Sequence, residues 1–358
     1  MKRRASARSQ LLLAARRLAL LVSFVFLLPL VSGCMSFHQG AMPGEPKTAT
    51  FASVEGARVR YLDTGGDKPA VVLIHGFASS LDAWGTVIPE LVKGHRVLAL
   101  DLKGFGWTDR PEGDYSPAAQ ARIVLGLMLQ RGIDRAALVA HSWGSSVALQ
   151  VAMQKPESVT RIAMYDAWVY EAQLPAFFHW SRAGGVGETL FGLYYKERPA
   201  EKIALAFYDK SYVTEELVES VENQMDRPGT VAAALAAVRG QRYAHVEHKY
   251  RKVQKPTLLM WGREDTVTPV AFGERLARDL PNARLEVYPR CGHFPMLEAK
   301  EASTRELVAF LAEVDAPEPV APPAAPSGAG TNGAGTTGGG DGATSGASSG
   351  ASIPKEPD

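Results

Sequence analysis

Three residues far apart in the chain carry side chains that together could perform nucleophilic acyl chemistry. They are Ser142 in Val139-Ala140-His141-Ser142-Trp143-Gly144, Asp265 in Gly262-Arg263-Glu264-Asp265-Thr266-Val267-Thr268-Pro269, and His293 in Cys291-Gly292-His293-Phe294-Pro295. A serine hydroxyl is a weak nucleophile until a histidine takes its proton and an acid orients that histidine. Histidine suits the task because its ordinary pKa, about 6.5, lets it accept and return a proton near neutrality. Each of the three follows a short apolar run that reads as a β-strand. The tetrahedral oxyanion formed by such an attack also needs hydrogen-bond donors aimed at it. The remaining histidines have no comparable context, with His75 expected to shape a loop and Cys291 to be a packed small residue rather than a nucleophile.

The elements that must position these groups alternate between strand-like and helix-like segments, which predicts a parallel sheet with crossover helices. Val71–Ile74, Arg96–Leu100, Ala137–Ala140, Arg161–Tyr165, Thr257–Trp261 and Arg284–Tyr288 read as buried strands. Thr50–Val54 and Ala57–Asp63 read as an antiparallel pair ahead of them, giving an α/β fold with a mostly parallel sheet of eight strands. Leu81–Lys93, Ala118–Gln130 and Ser145–Met153 have helical periodicity. Residues 167 to about 250 break the alternation, read as helices and hold 13 of the 30 aromatic residues. Most of these aromatics are expected to form the core of that insertion and a minority to face a cleft, favouring an apolar substrate.

Residues 50–313 resemble the α/β-hydrolase superfamily, whose triad runs serine, acid, histidine along the chain. The resemblance is to its capped members, which include epoxide hydrolases, haloalkane dehalogenases, carbon–carbon bond hydrolases and small esterases. It implies an α/β-hydrolase fold with a helical cap at about 167–250. Ala140-His141-Ser142-Trp143-Gly144 stands for the family's G-x-S-x-G turn, with Ala140 replacing the first glycine. His75-Gly76-Phe77 resembles the family's HG-x motif, which implies that the backbone N–H groups of Phe77 and Trp143 form the oxyanion hole. Asp265 matches the G-x-x-D-x-x-x-P pattern and His293 the G-H motif. Asp166 is the rival acid, since some relatives carry the acid at the end of that earlier strand. The serine disfavours epoxide hydrolase and dehalogenase chemistry, which uses an aspartate nucleophile there. Asp101–Pro111 resembles the D-x-x-G-x-G-x-S-D-x-P loop and Leu81-Asp82-Ala83-Trp84 the start of the first helix, with Trp84 expected over the oxyanion loop.

The two ends differ from the middle. Residues 1–44 contain no Asp or Glu, and six basic residues precede the apolar stretch Leu18–Val31, the pattern of a secretory signal. Fourteen residues fall short of the ~20 that span a bilayer. Val31-Ser32-Gly33-Cys34 resembles a bacterial lipobox, which implies a signal peptide over 1–33, acylation of Cys34 and a linker over 34–47. With Met35 rather than Asp after the cysteine, the resemblance implies the outer membrane, facing the periplasm, if the source is Gram-negative. The folded domain is expected over 48–315. Residues 316–358 are rich in Pro, Ala, Gly, Ser and Thr and are expected to be disordered. The second cysteine, Cys291, has no partner left for a disulfide.

No Cys/His cluster has metal-ligand spacing, no glycine-rich motif suits a phosphate, and a net charge of +1 gives no reason to invoke nucleic acid. The expected activity is a membrane-tethered serine hydrolase acting on an ester or similar small apolar acyl substrate, with no metal and no organic cofactor. A carbon–carbon bond hydrolase, an acyltransferase or perhydrolase with the same triad, and a non-catalytic ligand-binding lipoprotein are the alternatives.

Overall fold

The computed structural model describes residues 35–313. The expected signal peptide, Cys34 and the expected tail lie outside the described residues.

Eight strands form one sheet: β1 (Thr50–Val54), β2 (Ala57–Asp63), β3 (Ala70–Ile74), β4 (Arg96–Leu100), β5 (Ala136–His141), β6 (Val159–Tyr165), β7 (Thr257–Gly262) and β8 (Ala283–Tyr288). Their spatial order is β1-β2-β4-β3-β5-β6-β7-β8. β2 runs antiparallel to both β1 and β4, and every other neighbouring pair is parallel. Side chains on a strand alternate between faces. Accordingly Val72, Ile74, Leu138, Ala140, Leu259 and Trp261 enter one apolar cluster, while Val71, Leu73, Ala137, Val139, Leu258 and Met260 enter a second. The central strands are buried on both sides, which is why they appear in the sequence as continuous apolar runs.

Helices cover both faces. The predicted helix over 81–93 is instead a 3₁₀ turn, Leu81–Trp84, followed by the short α1 (Ile88–Leu91). Asp101 captures the Leu81 N–H at 2.7 Å, and Pro89 removes a helical donor and disfavours helical backbone before it. Trp84 packs in the second cluster, its ring 6.1 Å from that of Tyr165. α2 (Pro117–Gln130) and α3 (Gly144–Gln154) match the other two predicted helices.

Between β6 and β7 the chain forms the helical cap: α4 (Ala176–Ser181), α5 (Val186–Tyr194), α6 (Pro199–Ala206), α7 (Glu215–Asp226) and α8 (Thr230–Gly240). Its core is a small cluster of Leu174, Phe178, Phe191, Ala234, Leu235, Val238 and Tyr243. Fewer aromatics enter that core than composition suggests, since Phe177, Trp180, Tyr194 and Tyr208 are exposed. α9 (Val270–Asp279), α10 (Pro295–Glu298) and α11 (Lys300–Ala312) complete the domain.

The expected linker before residue 48 also differs. Met42 is buried, Phe37 stacks on Tyr115 at 6.1 Å, and His38 exchanges two backbone hydrogen bonds with Arg110. Its composition resembles a spacer, but its partners lie some seventy residues further along the chain and local reading does not find them.

Candidate active site

Four adjacent parallel strands, β5 to β8, carry Ser142, Asp166, Asp265 and His293 just past their C-terminal ends, at one edge of the sheet. Ligand sites of open α/β sheets form at that edge. Ser142 is buried and has φ +50°, a left-handed conformation that is strained for a residue with a side chain. The neighbouring chain holds it there. Its N–H donates to the Tyr165 carbonyl at 2.9 Å, and its carbonyl accepts from Trp168 N–H at 3.1 Å and Ser145 N–H at 2.9 Å. A Cβ on Gly144 would stand 2.4 Å from the Ile74 carbonyl oxygen, so the turn into α3 needs glycine there. Ala140 is a fully buried residue of β5, in register with Ile74 and Met164. It is ordinary strand core, which is why alanine is accommodated.

His293 Nδ1 donates to Asp265 Oδ2 at 2.7 Å. That bond places the ring's other lone pair on Nε2, the atom that can accept a serine proton. Asp265 is itself held in place: Oδ1 accepts from Val267 N–H at 2.7 Å and Thr268 N–H at 3.0 Å, and Oδ2 accepts from the Thr268 hydroxyl at 2.5 Å. Burial by itself would raise its pKa, but His293 and these hydrogen bonds outweigh it and hold Asp265 below the usual carboxylate range. It is therefore ionised and able to stabilise an imidazolium.

Asp166, the rival acid, is also fully buried and has φ +44°. Its Oδ1 accepts from Gly262 N–H at 2.9 Å, and no donor reaches its Oδ2 among the described residues. Burial, then the charge of Asp265, pushes its pKa well above the carboxylate range. Its protonated form is thereby favoured, and His293 Nδ1 donates to Asp265, not to Asp166. Asp166, His141 and His293 offer atoms within 4.8 Å of one another, a spacing a metal could use. The protons on His141 Nε2 and His293 Nδ1 are already engaged with the His293 carbonyl and with Asp265, so the group is the surroundings of the histidine.

Sequence patterns predict no role for three residues that support His293. His141 Nε2–H donates to the His293 carbonyl at 2.8 Å, and burial lowers its pKa to about 3, so it stays neutral. Thr268 braces Asp265. Glu298 accepts three N–H groups, from Gly292 through Oε1 and from Tyr208 and Asp209 through Oε2, each at 2.8 Å. The cap segment after α6 thus meets the histidine loop directly, and His293 N–H donates to the Ala206 carbonyl at 2.7 Å. Glu264 accepts from Cys291 N–H at 3.0 Å, and burial pushes the Cys291 thiol up, away from reactive thiolate.

The candidate oxyanion donors lie across the site. Among the described residues neither Phe77 N–H nor Trp143 N–H donates to a protein acceptor. His75 fixes the first loop: Nδ1–H donates to the Gly76 carbonyl at 2.7 Å, and Nε2 accepts from Leu102 N–H at 2.9 Å. Asp101 anchors the following loop through Leu81 N–H and Trp107 N–H. Aromatic rings line this side, with Phe77 5.3 Å from Phe105 and 6.1 Å from both Trp143 and Phe178. A buried acyl group would meet carbon on several sides.

Known proteins are similar to this chain. The family described as alpha/beta hydrolase fold matches residues 69–300. An uncharacterized protein of Mycobacterium tuberculosis is 32% identical over 263 residues, covering 70% of this chain and 77% of that protein. A 2-hydroxy-6-oxo-2,4-heptadienoate hydrolase of Pseudomonas putida is 31% identical over 264 residues, covering 71% of this chain and 92% of that enzyme. Among solved structures, a meta-cleavage product hydrolase from Pseudomonas fluorescens superposes with a TM-score of 0.64 at 27% identity, over 73% of this chain and 96% of that one.

Proposed function

The chain belongs to the alpha/beta hydrolase fold family, and from that premise we propose that it is a serine hydrolase cleaving an ester or similar acyl substrate through an acyl-enzyme on Ser142. The hydrogen bond between His293 Nδ1 and Asp265 carries the reading, because it sets the tautomer that can deprotonate the serine. Ser142 Oγ attacks the carbonyl carbon while its proton passes to His293 Nε2. The oxyanion is held by Phe77 N–H and Trp143 N–H, at the N-terminal end of α3, where the helix dipole favours negative charge. Collapse expels the alcohol, which takes the proton from His293. A water then gives its proton to His293 and releases the acid and Ser142. The aromatic wall around Phe77 supports an uncharged, apolar acyl group of modest size.

A second reading is hydrolysis of a carbon–carbon bond beside a carbonyl, by the same triad. The similarity to the heptadienoate hydrolase favours it. Parallel assays of p-nitrophenyl butyrate and of a 2-hydroxy-6-oxo-dienoate separate the two. The expected outcome is ester turnover that Ser142→Ala lowers by at least about 10⁴-fold, with loss of fluorophosphonate labelling. A parent protein that neither turns over nor labels refutes the hydrolase reading.

We further propose that Cys34 is acylated and tethers the domain to a cell-envelope membrane. The basic and apolar segment ahead of Val31-Ser32-Gly33-Cys34 supports this. Metabolic labelling with palmitate, abolished by Cys34→Ala, tests it.

A further inference from the structure

Eight of the eleven large apolar side chains left exposed among the described residues lie between positions 177 and 212, in the cap. Trp180 is 62% exposed, Tyr194 61%, Leu193 51% and Phe177 45%, all on α4 and α5. The same two helices already supply Phe178 and Phe191 to the cap's core, so these four residues are surplus to it. Concentrated exposed apolar surface on a folded domain marks a contact with something else. Tryptophan and tyrosine, with a flat apolar body and a polar tip, are the side chains that favour a membrane–water interface.

The position of the N-terminal segment says what that contact is. Met35 packs against the cap cluster of Leu174, Phe178 and Phe191. Met35, the first described residue, is therefore held beside the cap one position after Cys34 in the sequence. A free linker over 34–47 would have let the domain hang away from its anchor in any orientation. Because residues 37–42 are instead bound to the domain, acyl chains on Cys34 would enter lipid immediately next to α4 and α5. Cations nearby are engaged within the protein, Lys196 with Asp226, Arg198 with Glu201, Arg239 with Glu188 and Lys202 with the Tyr194 and Tyr195 carbonyls. The surface therefore suits apolar insertion rather than capture of anionic headgroups.

We infer that the α4–α5 side of the cap is seated in the surface of the lipid bilayer that anchors the chain, with Phe177, Trp180, Leu193 and Tyr194 in its interfacial layer. This rests on the reading of Cys34 as the lipid attachment site. It also bears on the substrate, since an apolar ester dissolved in the membrane would meet the cap before it met water.

Trp180 reports on the contact directly, because the other five tryptophans are buried or half-buried. The full chain carrying its anchor is reconstituted in phosphatidylcholine vesicles with brominated acyl chains. The Trp180 signal is taken as parent minus Trp180→Phe, and palmitate labelling of Cys34 is measured on the same protein. The expected result is a blue-shifted Trp180 emission, mostly lost to bromine and protected from iodide, with p-nitrophenyl butyrate turnover in solution equal in both proteins. A Cys34 that labels while Trp180 stays unquenched and open to iodide overturns the inference and leaves the anchor standing. If Cys34 does not label, quenching on adding the protein to the same vesicles still supports the seated cap, and its absence overturns it. Protection from iodide without vesicles, together with a doubled mass by light scattering, means that a second copy covers this face and also overturns it.

Discussion

Two carboxyls flank His293, and exchanging each for its amide separates their roles. In Asp265→Asn the amide oxygen is pinned by the N–H groups of Val267 and Thr268, which now bind Oδ1 at 2.7 and 3.0 Å. The amide NH₂ then faces His293 Nδ1 at the place of Oδ2. Two donors cannot share that bond, so the ring moves its proton to Nε2 and loses the lone pair that accepts from Ser142. The same wrong-tautomer effect in a serine protease costs about 10⁴ in kcat, which at 1.36 kcal/mol per tenfold is about 5.4 kcal/mol of barrier. In Asp166→Asn the oxygen can keep Gly262 N–H at 2.9 Å, and the NH₂ takes the place of Oδ2, which has no hydrogen-bond partner among the described residues. The expected loss of kcat is within about tenfold, or 1.4 kcal/mol. Stability gives an independent check. Asp166 has its pKa raised, first by burial and then by the charge of Asp265, so the folded protein keeps a proton that the unfolded chain loses above about pH 3.9. Folded-state stability contributed by this group therefore falls as pH rises from 4. An asparagine has no proton to lose, so the difference in Tm between Asp166→Asn and the parent should shift in favour of the variant between pH 4 and pH 8. The assay is p-nitrophenyl butyrate turnover beside fluorophosphonate labelling, with thermal melts across that range. If Asp166→Asn is as inactive as Asp265→Asn, or its relative Tm falls with pH, the assignment of Asp265 as the orienting acid and Asp166 as neutral is refuted.

Three further outcomes are expected. Glu298→Ala leaves the N–H groups of Gly292, Tyr208 and Asp209 without their acceptor and should lower kcat about 10- to 100-fold by loosening His293. Labelling rates for Ser142 should fall in step, and an unchanged rate with only a lower Tm would reduce Glu298 to a stability role. Gly106 has φ +52°, and a Cβ there would stand 2.1 Å from Asp101 Oδ2, so Gly106→Ala should cost about 2–4 kcal/mol in urea unfolding. Asp63 is held below the carboxylate range by the hydrogen bond from Arg96, against the opposing effect of burial and with help from Arg131. Asp63→Asn should cost about 3 kcal/mol at pH 7. Because a depressed folded pKa stabilises only above the unfolded value, that difference should shrink as pH falls below about 4. A difference that persists undiminished at low pH would mean packing, not charge, holds Arg96 and Arg131 there.

The sequence by itself determined the sheet and the candidate triad residues at its edge. A strand buried on both faces must be apolar throughout, so runs such as Val71–Ile74 and Thr257–Trp261 declare themselves, and a polar Ser, Asp or His directly after such a run stands at the strand's end. Only the tertiary structure decided what depends on which groups meet. Asp166 and Asp265 are equivalent as letters, and the hydrogen bond from His293 holds the pKa of Asp265 down while burial beside that charge pushes the pKa of Asp166 up. His141 supports His293 across 152 residues of chain, and Glu298 ties the histidine loop to Tyr208 in the cap, 90 residues away, distances at which local patterns carry no information. The segment 35–47 reads as a spacer, yet it packs against the loop around Arg110, Tyr115 and the cap, because a hydrogen bond or an apolar contact depends on proximity in space and leaves no trace in the sequence of either partner alone.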